Sequence, residues 1–256
     1  MWNDGSPGSG MSMRHQPPTT SEMSGQHRST QSLESAPGAL HTAHPGYEAG
    51  QDDIPDIVIR RLPIYVRTLK GLTDEGQRSV SSEELAGLIG VTAAQIRRDL
   101  SYFGKFGKQG KGYDIAYLSN AIDRILKLDR QWPMVLVGMG RLGHAIASYR
   151  GFSRSSFTIE GLFDRDPAKV GEQVNDLVVQ PIDHVVEAMR EMGIRVGIIA
   201  TPRTEAQEAA DLLVAGGAEA ILNYAPVILR VPENVTVREI DPVSALQSMT
   251  YYIEHE

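Results

Sequence analysis

Apolar residues repeat with helical spacing in the stretch that begins near Ile54. Five of them, at i, i+3, i+4, i+7 and i+10, form one apolar stripe: Leu62, Tyr65, Val66, Leu69 and Leu72. This spacing predicts a first amphipathic helix. Pro63 falls inside the stripe, and an interior proline removes a helix hydrogen bond, so the pattern leaves open whether the helix starts at Ile54 or later.

Two shorter helices, separated by a glycine, are predicted next. Ser81 precedes acidic residues and an apolar run, as an N-cap does, and Gly90 ends that run. Thr92 then caps a third helix. The inner face of this helix contains four apolar residues, Ala93, Ile96, Leu100 and Phe103. Helix, glycine turn and helix make the helix-turn-helix arrangement, in which the second helix lies in the DNA major groove.

A basic segment follows these helices. Residues 104–113 alternate glycine with lysine and include two aromatic residues, which favours a sharply bent hairpin over a flexible linker. Residues 60–112 carry 10 Lys and Arg against 5 Asp and Glu, whereas the whole chain has a net charge of −7. Because phosphate neutralisation supplies most nucleic-acid affinity, we predict a winged-helix DNA-binding domain over residues 54–113. A solvated basic surface is the alternative.

The third helix and the hairpin contain side chains suited to DNA. Arg98 can bond guanine O6 and N7, Gln95 can pair with adenine, and the small Ala94 lets the helix approach the bases. The lysines of the hairpin suit phosphates or a minor groove. The complete set of predicted DNA contacts is Ser82, Ala94, Gln95, Arg97, Arg98, Tyr102, Lys105, Lys108, Gln109, Gly110 and Lys111.

Strand and helix patterns alternate in the remainder of the chain. Residues 114–132 predict an amphipathic connecting helix, and residues 133–241 alternate apolar strands with helices. This order predicts the α/β class, with a Rossmann-like parallel sheet that has helices on both faces. Residues 242–256 predict a C-terminal helix.

A glycine turn joins the first of these strands to a helix. Gly138 allows the tight turn, Gly140 allows close approach of a pyrophosphate, and Gly143 lets the helix pack on the strand. Asp164 ends the next strand, where a carboxylate accepts a hydrogen bond from a ribose 2′-hydroxyl. We predict a dinucleotide site here, with a purely structural turn as the alternative. Its residues are Gly138, Met139, Gly140, Arg141, Leu142, Gly143, His144, Asp164, Arg165, Thr201 and Pro202.

The composition of the N-terminal stretch differs from that of the rest. Residues 1–53 contain no Val, Ile, Phe or Lys, so we expect a disordered tail. Neither a targeting peptide nor a membrane span is expected, which predicts a cytoplasmic protein without a membrane partner. The chain has no Cys, which excludes disulfides and Cys-based metal sites, and we expect no metal.

An NAD-dependent dehydrogenase is the main rival to a DNA-binding regulator. Of the seven His residues, four lie in the tail, and His144, His184 and His255 include no obvious general acid for a nicotinamide. We expect His144 to face phosphate or solvent. The Rossmann-like segment also leaves no room for a substrate domain, so we expect no catalytic residue and no enzyme. A nucleotide-binding scaffold without DNA affinity is a third class, in which the basic hairpin would be incidental.

Six motifs, in order, resemble those of one protein family. They read RLP at 61–63, SSEEL at 81–85, QIRRDLSYFG at 95–104, GY at 112–113, VGMGRLG at 137–143 and ILNYAPV at 221–227. This set is similar to the redox-sensing transcriptional repressors called Rex, and the similarity extends over residues 54–253. The hairpin departs from the family pattern, because Gln109 stands where the family has arginine and Lys111 where it has valine.

The resemblance implies a bacterial homodimer that binds a palindromic operator in double-stranded DNA when NADH is low and releases it when NADH binds. NADH and NAD+ are then the cofactors. The resemblance also implies that the C-terminal helix, here Val243–Ile253, crosses to the partner subunit. It further implies that Arg67, Tyr149 and Asp241 form an interdomain switch.

Overall fold

The computed structural model describes residues 54–108, 111–153 and 155–253. The first part is a helical domain with a small sheet, formed by α1 (Asp56–Asp74), β1 (Ser79–Val80), α2 (Ser82–Ile89), α3 (Ala93–Ser101), β2 (Gly107–Lys108), β3 (Gly112–Asp114) and α4 (Ile115–Ile125). The predicted disordered tail lies outside the described residues, as do Gln109 and Gly110.

Helix α1 begins at Asp56 and continues through Pro63. An interior proline costs a helix about 3 kcal/mol. All five residues of the predicted apolar stripe are buried, together with Val58. Burying one large aliphatic side chain contributes about 1.5–3 kcal/mol, so this buried face outweighs the cost of the proline. The predicted stripe is confirmed, and the helix starts two residues after Ile54.

Three predicted caps fix ends of α2 and α3. Ser81 Oγ accepts a hydrogen bond from the Glu84 N–H (3.0 Å), and Thr92 Oγ1 accepts one from the Gln95 N–H (3.1 Å). Gly90 ends α2 with a φ of +81°, in the left-handed region that glycine adopts without strain. The helix-turn-helix arrangement is therefore confirmed, with three of its four helix ends fixed by the predicted residues.

The three short strands pair antiparallel in the order β1–β3–β2, and β2 and β3 form the predicted hairpin. Gly112 has a φ of +70°, and a Cβ at this position would lie 2.5 Å from the Val80 carbonyl oxygen. A side chain there would push the hairpin away from β1. The hairpin is thus held against β1 by a close contact that requires glycine at position 112.

Helix α4, which we expected to be a connector, packs into the core of the first domain. Ile115, Leu118 and Ile122 are buried in the same cluster as the apolar stripe of α1. The helix is shorter than predicted, because it ends at Ile125 and Lys127 adopts a left-handed φ of +57°. The first hydrophobic core therefore extends beyond residue 113.

The second part contains a seven-stranded sheet. Its elements are β4 (Trp132–Val137), α5 (Arg141–Ala147), α6 (Arg150–Ser153), β5 (Phe157–Asp164), β6 (Gln173–Val174), β7 (Leu177–Pro181), α7 (Val185–Met192), β8 (Val196–Ile199), α8 (Ala206–Gly216), β9 (Ala220–Asn223), β10 (Thr236–Glu239) and α9 (Pro242–Thr250). The strand order is β10–β9–β8–β4–β5–β7–β6, and all neighbours are parallel except β6 and β7. This is the doubly wound Rossmann order, and it confirms the predicted fold class.

Central strand β4 sends alternate side chains to two cores. Val135 and Val137 pack with α7 and α8, whereas Met134 and Leu136 pack on the side of α5. Helix α9, by contrast, has no buried residue. Within the described ranges, no helix combines the length and the apolar character needed to cross a membrane.

Candidate functional site

The glycine turn after β4 has three glycines with different surroundings. A Cβ on Gly138 would lie 2.7 Å from the Ala200 carbonyl carbon, and a Cβ on Gly143 would lie 1.9 Å from the Gly138 carbonyl oxygen. A Cβ on Gly140 would meet nothing within 4 Å. The first and third glycines are therefore required by the protein's own packing, whereas the second borders open space that a ligand can approach.

Two cavities adjoin this turn at the carboxyl ends of β4, β5 and β8. One, of about 220 Å³, brings together six predicted site residues, Gly138, Gly140, Asp164, Arg165, Thr201 and Pro202. The other, of about 600 Å³, is lined by Met139, Gly140, Arg141, His144, Lys169 and Glu172. Leu142 lines neither cavity and lies on the exposed side of α5.

The carboxylate of Asp164 is buried and already accepts three hydrogen bonds. Oδ2 accepts from the Met139 N–H (2.6 Å) and from Lys169 Nζ (3.0 Å), and Oδ1 accepts from the Asp166 N–H (2.8 Å). Burial raises the pKa of Asp164, but these donors outweigh it and hold the pKa below its usual 3.8. Lys169 was not identified from the sequence, although it follows β5 only five residues after Asp164.

Arg165 is paired with acids of the same cavity. Its Nη2 donates to Glu208 Oε2 at 2.5 Å, and its Nη1 lies 4.0 Å from Glu205 Oε1. The positive charge beside Asp164 is therefore offset by two carboxylates near α8. A phosphate entering this corner of the cavity would have to compete with them.

Thr201 contributes a buried hydroxyl to the smaller cavity. Among the residues that the structure describes, its Oγ1 is the buried side-chain polar atom that has no hydrogen-bond partner. An unpaired buried hydroxyl is costly unless another group satisfies it. With the open space at Gly140, this atom fits the binding of a polar dinucleotide at the predicted site.

His144 faces a carboxylate at the edge of the larger cavity. Its Nδ1 lies 2.9 Å from the Gly140 carbonyl oxygen, and its Nε2 lies 2.9 Å from Glu172 Oε1. Both partners are acceptors, so they favour the protonated ring, and they raise the pKa of His144 above 6.5, with the Gly140 bond as the larger cause. Glu172 was not identified from the sequence, because it lies 28 residues along the chain.

A groove of about 760 Å³ runs between α2, α3 and the hairpin of the first domain. Its lining includes four predicted DNA contacts, Ser82, Arg97, Lys105 and Lys111. Arg97 Nη1 donates to Ser82 Oγ (2.7 Å) and to Glu83 Oε1 (2.9 Å), so its guanidinium is held at the start of α2. Ala94 and Arg98 are exposed on α3, and Tyr102 is half-buried against the core. Lys108 lies in β2.

A buried ionic cluster, which was not predicted from the sequence, lies behind this surface. Asp99 of α3 accepts hydrogen bonds from Arg61 and Tyr65 of α1 and from Gln95 of its own helix. Burial and the bond to Asp99 raise the pKa of the Tyr65 hydroxyl, with burial as the larger cause. The sequence contains a signal for this buried ion pair, because Arg61 and Asp99 each place a charge on an otherwise apolar helix face.

The structure does not bring the three predicted switch residues together. Arg67 is exposed on α1, Tyr149 is exposed after α5, and Asp241 caps α9. Across the described residues, they make no hydrogen bond or ion pair with one another. A contact between the two domains is instead made by Asp56 of α1, which pairs with Arg238 of β10.

Comparisons with known proteins match both domains. The family model "Putative DNA-binding protein N-terminus" matches residues 53–101, and the family model "CoA binding domain" matches residues 129–227. The redox-sensing transcriptional repressor Rex of Chloroflexus aggregans is 57% identical over 205 residues, which cover 80% of this chain and 97% of that protein. Rex of Roseiflexus sp. is 53% identical over 80% of this chain and 93% of its own.

Solved structures agree with these matches. The crystal structure of RSP in complex with beta-NAD+ and operator DNA has a TM-score of 0.74 and 39% identity, covering 78% of this chain and 92% of that chain. RSP in complex with beta-NADH has a TM-score of 0.72 and 36% identity, covering 78% and 94%. The relatives that match across both domains are transcriptional repressors, which places this chain among the DNA-binding regulators with a Rossmann-like domain rather than among enzymes. The chain belongs to the Rex family of redox-sensing transcriptional repressors.

Proposed function

We infer that this protein represses transcription by binding a palindromic operator when NADH is low, and that it leaves the operator when NADH binds. This inference rests on one observation. The same chain contains a basic helix-turn-helix and a Rossmann turn whose second glycine borders open space. Such a regulator acts where the DNA is, so we place it in the cytoplasm.

The cofactor is NADH or NAD+, and the glycine turn would hold its pyrophosphate. Asp164 would accept a hydrogen bond from the adenosine ribose, with Lys169 moving aside to free part of Oδ2. Thr201 Oγ1 would gain a partner on the ligand. The negative charge of Asp164 would repel a 2′-phosphate, and the neighbouring Arg165 is already paired with Glu208, which supports a preference for NAD(H) over NADP(H).

Bases would be read by α3, and phosphates by the groove and the hairpin. Ala94, Gln95 and Arg98 would face the major groove, with Tyr102 at the edge of that surface. The remaining predicted contacts would bind backbone phosphates or the minor groove: Ser82, Arg97, Lys105, Lys108, Gln109, Gly110 and Lys111. We divide the chain into domains at 54–113 and 133–241, with 114–132 as a connector, although the helix of that connector shares the first core.

A homodimer would cover the apolar surface of α9. Val243, Leu246 and Met249 are 59–61% exposed, which is unusual for three large apolar residues on one helix. We propose that residues 242–256 cross to the partner subunit, where Arg67, Tyr149 and Asp241 would meet. Replacement of Leu246 by Asp should shift the protein from dimer to monomer in analytical ultracentrifugation, and a dimer unaffected by it would contradict this role of α9.

The function is tested by fluorescence anisotropy with palindromic promoter fragments, adding NADH, NAD+ or NADPH in turn. NADH should release the DNA at concentrations where NADPH does not. A hundredfold loss of operator affinity corresponds to about 2.7 kcal/mol of coupling, and by reciprocity the operator should weaken NADH binding by the same factor. Tight NADH binding without any DNA binding would overturn the function.

A further inference from the structure

Helix α3 contains a buried carboxylate for which the proposed function has no use so far. Asp99 has no exposed surface, and it lies one turn after Gln95 on the side of α3 that faces α1. Its Oδ1 accepts a hydrogen bond from Gln95 Nε2 at 2.6 Å and one from Arg61 Nη2 at 2.8 Å. Its Oδ2 accepts from Arg61 Nε and from the Tyr65 hydroxyl, both at 2.6 Å.

The charge of Asp99 decides which way the Gln95 amide is turned. Burial raises the pKa of Asp99, but the bonds from Arg61, Tyr65 and Gln95 outweigh it and keep the pKa below 3.8. The carboxylate is therefore ionised and can only accept hydrogen bonds, so Gln95 must turn its NH2 group toward it. The reverse orientation would set two oxygen acceptors 2.6 Å apart.

The oxygen of the same amide is left for another partner. Gln95 Oε1 accepts no hydrogen bond from the described residues, and it is not among their buried unpaired atoms, so it reaches solvent. Gln95 lies beside Ala94 and one turn from Arg98, both exposed on α3. In the major groove an acceptor matches the amino groups of adenine (N6) and cytosine (N4), whereas guanine and thymine present O6 and O4.

We propose that Asp99 is a positioning residue for base recognition, which fixes the Gln95 amide so that its oxygen selects an amino-bearing base, adenine or cytosine. This proposal rests on the proposed DNA-binding function. A free glutamine can reverse its amide and accept either class of base. Arg61, anchored on α1, bonds to both oxygens of Asp99, holds the carboxylate in place and thereby makes the choice of Gln95 directional.

Asp99→Asn tests the proposal, because asparagine offers either an oxygen or an amide to Gln95 and permits both orientations. The wild type and the variant are titrated by anisotropy against operators in which each half-site base pair is replaced in turn. We expect Asp99→Asn to lose about tenfold discrimination at one base position, the one where Gln95→Ala also loses it. The double variant should lose no more there, and the other positions should keep their discrimination.

Tyr65→Phe is the matched control, because it removes a hydrogen bond from Asp99 Oδ2 but leaves the contact of Gln95 with Oδ1. It should keep the wild-type base preference. Loss of affinity by Asp99→Asn that is equal for all sequences, or a base preference that it leaves intact, would show a structural role only and overturn the proposal. Absence of DNA binding by the wild type would instead refute the proposed function.

A second measurement uses the unaltered protein, and so does not depend on the folding of Asp99→Asn. At the position identified by Gln95→Ala, the base is replaced by an analogue without its exocyclic amino group. Wild-type affinity should fall about tenfold, whereas Gln95→Ala should not distinguish the two operators. Equal binding of both operators by the wild type would contradict the proposed selection of an amino group.

Discussion

Two buried aspartates, one in each domain, accept hydrogen bonds in different ways. The donors of Asp99 are all side chains packed between α1 and α3. Asp164 accepts from the backbone N–H groups of Met139 and Asp166 and from one lysine, Lys169, which borders both cavities. The first carboxylate is enclosed by the protein, whereas the second can exchange a donor with a ligand.

Asp99 therefore holds packed side chains together, whereas Asp164 has a donor that a ligand in the cavity could replace. When a ligand arrives, the backbone donors of Asp164 stay in place, but Lys169 can turn away because its side chain is 34% exposed. The charged partner of Asp99 is less accessible, since the Arg61 side chain is only 18% exposed. Substitutions in the two regions should therefore affect different measurements.

Gly143→Ala should have the largest effect and would test whether the open site depends on backbone geometry. Its Cβ would lie 1.9 Å from the Gly138 carbonyl oxygen, so α5 must shift away from β4. We expect NADH affinity to fall by at least about a hundredfold in calorimetric titration, together with a lower melting temperature. Gly140→Ala is the control, since its Cβ meets no atom within 4 Å. It should keep the melting temperature while still weakening NADH binding.

Asp99→Ala should cost about 3 kcal/mol in the free energy of unfolding, because it leaves Arg61 largely buried without its carboxylate. Urea unfolding followed by circular dichroism measures this. Asp123→Ala removes a carboxylate from a more exposed pair with Lys70 (3.2 Å) in the same domain, and should cost at most about 1 kcal/mol. Equal costs for the two variants would mean that burial of the Asp99 cluster does not increase its contribution to stability.

Asp164→Ala should weaken NADH binding by about tenfold and NADPH binding by less, because the carboxylate is the group that opposes a 2′-phosphate. Calorimetric titration with both nucleotides measures the ratio. If the comparison of the two aspartates is right, this variant should lose less stability than Asp99→Ala. An unchanged ratio of the two affinities would refute the role of Asp164 in selecting NAD(H).

His144 should produce the smallest effect, a pH dependence confined to the second domain. Its pKa in the folded protein lies above the unfolded value of 6.5, so its contribution is fully present below pH 6.5 and is lost as pH rises through the folded pKa. Because the side chain is 34% exposed, we expect its contribution to the free energy of unfolding to be less than about 1 kcal/mol. His144→Gln should remove the corresponding difference between the free energies of unfolding in acidic and in alkaline solution. Glu172→Gln should reduce that difference.

Local chemistry made much of the fold predictable. Ser81, Gly90 and Thr92 fix helix ends through their own side chain or φ, and the apolar stripe of α1 has a period that only a helix satisfies. The parallel sheet followed from alternating strands and helices. Strand β6 was missed because two residues are too few to show a period.

The candidate site was only partly predictable. The glycine turn and Asp164 have recognisable positions in the chain, so the cavities formed where expected. Glu172, as partner of His144, depends on the approach of β6 to α5, which no local pattern encodes. The bond between Asp99 and Arg61 joins residues 38 positions apart, and only the packing of α1 on α3 creates it.

Helix α9 adds a condition to every quantitative experiment on this protein. Since none of its residues is buried within the chain, the proposed crossing of α9 to a partner subunit would make the stabilisation from this helix grow with protein concentration. Dilution alone removes that stabilisation. An operator affinity measured with very dilute protein would then include the free energy of assembling the subunits, and it should be compared only with affinities measured at the same subunit concentration.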